Sequence, residues 1–137
     1  MKAEDFWKYI CEDLNYRFFA GVACPGFNSL YKKMNPTIMH YIPAVDEKAA
    51  LGIVMGAAVI GIKSAVLLDA YYINDLLNTI SRLDKYNIAC LILLYKSEKI
   101  STAHLSIKSD KDIEKILKKA SSSNSISIVS IDEGVIE

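Results

Sequence analysis

At 137 residues, 52% of them hydrophobic, the chain has the length and apolar content of one domain that buries its own core without disulfides or metal. Its 16 basic and 16 acidic residues cancel, which removes the global field that would draw in nucleic acid or an anionic bilayer. The small-residue run from Ala49 to Ile62 is short of the roughly 20 residues that cross a bilayer, and acids stand near the N-terminus where a secretory signal would be apolar, so a cytoplasmic location is expected.

Phe6, Trp7, Ile10, Cys11 and Leu14 recur at helical spacing, and residues 18–23 then form an apolar run of strand length. Cys24-Pro25-Gly26 ends that strand, Asn28 or Ser29 is placed to cap a short helix through Met34, and Asn35-Pro36 stops it. A second strand is expected over residues 37–44. Asp46 or Glu47 then opens a helix rich in Ala and Gly that ends near Gly61, followed by a buried strand over residues 64–68. Ile73, Leu76, Leu77, Ile80 and Leu83 share one face of a helix over residues 73–86, and residues 88–95 are the most strand-like in the chain. Residues 96–108 read as polar and irregular, a helix returns over 110–120, and a last strand occupies 126–131 after a serine-rich connector. Strands alternating with helices predict an α/β fold: a three-layer α/β/α sandwich around an open, mainly parallel sheet, with all 137 residues in one domain. Ligands of such sheets lie beyond the carboxyl ends of the strands, which here gathers the segments around Gly26, Glu47 and Asp69 and residues 96–99.

Glu47 is the foremost catalytic candidate. A carboxylate between a buried strand and a buried helix is partly dehydrated, which raises its pKa and suits it to share a proton. The structural alternative makes Asp46 the helix cap and Glu47 a solvated acid of the first turn. Gly52 and Gly56 lie four apart with Ala49 and Ala57 beside them, so another backbone is expected to approach that stripe, either the sheet of the same domain or a helix across a subunit interface. Asp69, Tyr71, Tyr72, Asn74 and Asp75 resemble a ligand rim; alternatively Asn74 or Asp75 caps the next helix and the tyrosines cover its end. The three cysteines form no Cys-x-x-Cys pair, and no His or acid cluster has metal-ligand spacing. Cys24 is the one thiol placed where it could face a cleft, while His40 and His104 are isolated.

The succession of Gly21-Val22-Ala23-Cys24-Pro25, a strand, Asp46-Glu47-x-x-Ala50-x-Gly52-Ile53-x-x-Gly56-Ala57 and Ala65-Val66-Leu67-Leu68 resembles the pyrimidine-binding domain of thiamine diphosphate enzymes. It is most like the alpha subunit of sulfopyruvate decarboxylase and the related phosphonopyruvate decarboxylases. The likeness runs from about Phe6 to Tyr95 and implies the alpha subunit of a decarboxylase, a carboxy-lyase, acting on a small anionic 2-oxo acid. By the same resemblance Glu47 would hydrogen-bond the aminopyrimidine ring of thiamine diphosphate and favour its imino form, with Gly26, Asp69, Tyr71, Tyr72 and Asn74 lining the pocket. The chain lacks the Gly-Asp-Gly and Asn motif that holds diphosphate and magnesium, which implies a separate beta subunit, a homo-oligomer, or both. The family's Gln-Asn-Ser-Gly-Leu-Gly-Asn loop is replaced by Asp69-Ala70-Tyr71-Tyr72-Ile73-Asn74-Asp75, and Lys96-Ser97-Glu98-Lys99 lacks the family's arginine-glycine pair. The other reading these departures support is a relative that has lost cofactor use and serves in binding or assembly.

Overall fold

The computed structural model describes residues 1–96 and 105–137. The described residues contain six strands: β1 (Phe18–Gly21), β2 (His40–Pro43), β3 (Ser64–Asp69), β4 (Cys90–Lys96), β5 (Leu105–Ile107) and β6 (Ile126–Asp132). They lie in one sheet in the order β2-β1-β3-β4-β6-β5, and every ladder is parallel. The α-helices are α1 (Ala3–Lys8), α2 (Asn28–Lys32), α3 (Glu47–Val59), α4 (Leu77–Asp84) and α5 (Ile113–Ser121).

Both sheet faces are covered, as the near-continuous apolar runs of β3, β4 and β6 require. On one side Phe6, Trp7, Leu30, Ile113 and Leu117 from α1, α2 and α5 pack on Phe19, Leu67, Leu91, Leu93 and Val129. Trp7 anchors this layer: its ring meets Phe6 and Phe19 edge-on and its Nε1 donates to Leu30 O at 2.8 Å, so the buried indole leaves no unpaired donor. On the other side Ala50, Leu51, Val54, Met55, Ile73 and Ile80 cover Val66, Leu68, Ile92, Leu94 and Ile128. The buried Ser64 hydroxyl donates to Val54 O at 2.8 Å and ties β3 to α3. The three-layer α/β/α expectation therefore holds, with an entirely parallel sheet.

Several boundaries moved for local reasons. α1 continues as a wider π-helical turn over Tyr9–Asp13, and the chain reverses at Asn15 with φ 65°. β2 is confined to His40–Pro43, and residues 36–38 form a turn in which Asn35 Oδ1 accepts from the Thr37 amide and hydroxyl. The segment after β3 is a 3-10 helix, Ala70–Leu76, before α4 begins, which shortens the helix expected over 73–86. Within the stretch read as irregular, Leu105–Ile107 forms the edge strand β5 on β6. Ser97 to Lys99, and His104, lie outside the described residues.

α3 ends in a glycine-based cap: Gly61 takes φ 87°, its N–H donates to Ala58 O at 3.0 Å, and Ile62 N–H donates to Ala57 O at 3.1 Å. That reversal aims the chain directly into β3.

Candidate functional site

The chain runs from β1 outward to the sheet edge at β2, then crosses back to β3 on the other side of β1. The β1/β3 border is thus the switch point, and its carboxyl end is where a doubly wound sheet leaves a crevice. The segment after β1 carries Cys24 and Gly26, β3 ends at Asp69, and the segment after β2 carries Asp46 and Glu47. The sheet therefore delivers three of the sequence-derived site segments to the same edge of three neighbouring strands.

Cys24 and Asp69 meet across the switch point, with Cys24 Sγ 4.0 Å from Asp69 Oδ2. Asp69 Oδ1 accepts from Tyr71 N–H at 2.9 Å and so caps the 3-10 helix; Asn74 and Asp75 do not perform the capping the structural reading gave them. The Cys24 side chain is buried, and burial first and the Asp69 carboxylate second push its thiol pKa up. A thiol so placed stays protonated near neutrality, the opposite of what a nucleophilic cysteine needs.

Gly26 is a contact point. A Cβ built there would collide with the ring of Tyr95, which packs edge-on with the Phe27 ring at a centroid separation of 5.6 Å. Gly21 is equally obligatory, because a Cβ would sit 2.6 Å from Leu67 O and 2.8 Å from Tyr41 Oη. Tyr31 closes this side, its hydroxyl donating to Val22 O at 3.2 Å and its ring 5.8 Å from that of Tyr41. Burial pushes both phenols above their ordinary pKa. Tyr31, Tyr41 and Tyr95 were not among the residues singled out in the sequence. Their signal was present as aromatics beside glycine-containing strand ends, but only the register brings Tyr95 of β4 over Gly26 of another loop.

At the β2–α3 junction, Asp46 is the N-cap, its Oδ1 accepting Ala49 N–H at 2.8 Å, and Glu47 is the first residue of α3. Asp46 is exposed and Glu47 half-buried; among the described residues Glu47 makes no ion pair. A half-buried carboxylate outside any ion pair keeps acceptor capacity for an incoming N–H. Tyr71 and Tyr72 are exposed by 71% and 44%, and they touch each other edge-on at 5.0 Å. Asn74 is exposed on the 3-10 helix.

The small-residue stripe departs from one of its two expected partners. The sheet is met by Ala50, Leu51, Val54, Met55 and Ala57, whereas a Cβ at Gly52 or Gly56 would meet nothing within 4 Å. The stripe faces outward, and Val45, Val59 and Ile60 are 92%, 65% and 74% exposed near its two ends. Among the described residues no group of three or more His, Cys, Asp or Glu side chains is placed to hold a metal ion, and no helix is long and apolar enough to cross a membrane.

No protein-family model matches the chain, and no curated protein sequence does. Solved structures do match in shape. The 2-oxoglutarate:ferredoxin oxidoreductase of Magnetococcus marinus superposes with a TM-score of 0.80 over 98% of this chain at 15% identity. The benzoylformate decarboxylase of Polynucleobacter necessarius gives 0.79 over 96% at 9% identity, and the thiamine diphosphate-dependent 4-hydroxybenzoylformate decarboxylase of Rhodococcus jostii gives 0.79 over 97% at 12% identity. The chain spans only about three tenths of each of these proteins, 29%, 30% and 30% respectively. At such identities the likeness establishes the fold, which is that of one domain of these larger enzymes.

Proposed function

We propose that the chain is the pyrimidine-side subunit of a thiamine diphosphate-dependent decarboxylase of a small anionic 2-oxo acid, sulfopyruvate-like in substrate class, working in the cytoplasm. The observation that carries this reading is the half-buried carboxylate of Glu47, in no ion pair among the described residues, at the head of a helix on whose outer stripe a Cβ at Gly52 or Gly56 would meet nothing within 4 Å. The fold shared with domains of thiamine diphosphate enzymes supports it.

The residues present fit the pyrimidine half of the cofactor. Glu47 offers an acceptor for a ring N–H, and Asp69 and the exposed pair Tyr71 and Tyr72 stand at the same sheet edge two strands away, at the end of β3. By the resemblance, the diphosphate half and its magnesium belong to a motif that this sequence lacks. A partner subunit supplies that half, and the stripe of Gly52 and Gly56 with exposed Val59 and Ile60 is the face of this chain that would meet it. When bound, thiamine diphosphate supplies the electron sink for loss of carbon dioxide. Glu47 would hold the proton at the pyrimidine ring nitrogen.

The test is cofactor titration of the chain together with the subunit that co-purifies with it, in magnesium, followed by assay of pyruvate, sulfopyruvate and benzoylformate decarboxylation. Glu47→Gln keeps the shape and removes the charge, and should lower kcat by roughly 10²–10⁴-fold. Unchanged turnover in that variant would exclude the proposed proton role.

A second reading has its own observation. The Tyr95 ring lies against Gly26, one of the expected pocket residues, which suits a relative that keeps the fold for binding or assembly. A co-purified complex that takes up no thiamine diphosphate at millimolar concentration decides for it.

A further inference from the structure

The opposite edge of the sheet, away from Cys24, Glu47 and Asp69, carries a row of cations. Arg17 precedes β1, His40 opens β2 and Lys63 precedes β3, on three adjacent strands. The backbone locks them into register: His40 N–H donates to Arg17 O at 2.8 Å, and Arg17 N–H donates to Lys63 O at 3.3 Å. Arg17 and Lys63 each stand two residues after a left-handed turn that ends a helix, at Asn15 and at Gly61. All of these residues border a cavity of about 410 Å³ whose apolar wall is Phe18 and Ile62. That volume lies within the roughly 300–1,000 Å³ of small-molecule sites.

Arg17 and Lys63 are held in place and not used up. Lys63 Nζ donates to Leu14 O at 2.8 Å and lies 4.8 Å from the centroid of the Tyr16 ring. Arg17 Nη1 donates to Ile38 O at 3.0 Å, with Nε 3.5 Å from Asn15 Oδ1. An ammonium has three donors and a guanidinium five, so each retains donors for a further acceptor. Among the described residues none of Arg17, His40 and Lys63 pairs with a carboxylate. Two helix carboxyl ends face this edge and contribute about half a negative charge each, less than the two full positive charges beside them. Anchored cations without counter-ions, next to an apolar wall, form an environment suited to an anion with a hydrophobic body.

We propose that this amino-terminal cleft binds a small organic anion, a phosphate monoester or carboxylate whose charged head meets Arg17 and Lys63 and whose apolar body lies on Phe18 and Ile62. The site is separate from the carboxyl-edge crevice and does not depend on the thiamine diphosphate reading.

Phenyl phosphate, inorganic phosphate and benzyl alcohol serve as probes in calorimetry and in amide chemical-shift mapping of the ¹⁵N-labelled chain. Phenyl phosphate should bind more tightly than either fragment and shift the amides of Arg17, Phe18, His40 and Ile62 while leaving Asp69 and Tyr71 in place. Arg17→Gln should weaken it by about tenfold, the loss of one charge-assisted contact. Lys63→Met, which keeps the stem over Tyr16, should do the same; if its thermal unfolding shows a lost fold, Arg17→Gln alone decides. Absence of phenyl phosphate binding at 10 mM, equal affinity for benzyl alcohol, undiminished binding by folded Arg17→Gln, or shifts confined to the Asp69 edge would each overturn the assignment.

Discussion

Two residues at the carboxyl edge illustrate how a site residue reads differently once its neighbours are known. The resemblance makes Gly26 a pocket-lining residue, and in the structure it is the Tyr95 side chain that lies against it. Gly26→Ala should therefore destabilise the chain by about 1–3 kcal/mol through overpacking. The same change in a Tyr95→Leu background should cost less, a non-additivity measurable by urea unfolding; full additivity would show that the ring is not what Gly26 accommodates. Asp46 is the simpler case, since a carboxylate just ahead of an apolar helical run signals a cap without tertiary information, and it does accept Ala49 N–H. Asp46→Ala should lower stability by about 1 kcal/mol, read from the same unfolding curves. Glu47, one residue later, shows where sequence stops: whether a first-turn acid is solvated or half-covered depends on how β2 enters the sheet edge.

At the scale of elements, the strands over 64–68, 88–95 and 126–131 were legible as short apolar runs of strand length alternating with helical segments, and the lack of alternation in 64–68 signalled a strand covered on both faces. β5 was not legible, because three residues of an edge strand carry almost no pattern and are held by β6. For α3 the composition announced close packing but not its direction. Its bulky residues turn to the sheet, which leaves Gly52 and Gly56 on the outside with open space. In the free chain Gly52→Ala and Gly56→Ala should each stabilise by roughly 0.5–1 kcal/mol, as expected for a helix interior with room for a methyl. If a partner backbone packs on the stripe, the double variant should also weaken association with the co-purifying subunit, measurable by sedimentation. Stabilisation with unaltered association would remove the stripe from the interface.

For the whole molecule, the core imposes a pH dependence of its own. Burial pushes the thiol of Cys11 up to about 11 and that of Cys90 up to about 12. The folded chain thus keeps protons that the unfolded chain releases from its ordinary thiol pKa of about 8.5 upward. Stability from these groups is fully present below that pH and is lost as pH rises toward the folded values. The urea midpoint should fall between pH 8.5 and 10.5, and the fall should be shallower in Cys11→Ala/Cys90→Ala; an identical slope would show that the thiols do not contribute. Apolar runs, helical spacing and breaker residues were enough to determine the α/β class, the alternation of elements and the edge where Glu47, Gly26 and Asp69 gather, because these follow from local periodicity and from the topology of parallel crossovers. Which side chains fill that edge, which way the glycine stripe faces, and the alignment of Arg17, His40 and Lys63 were decided only by tertiary structure, because each depends on register between strands far apart in the chain.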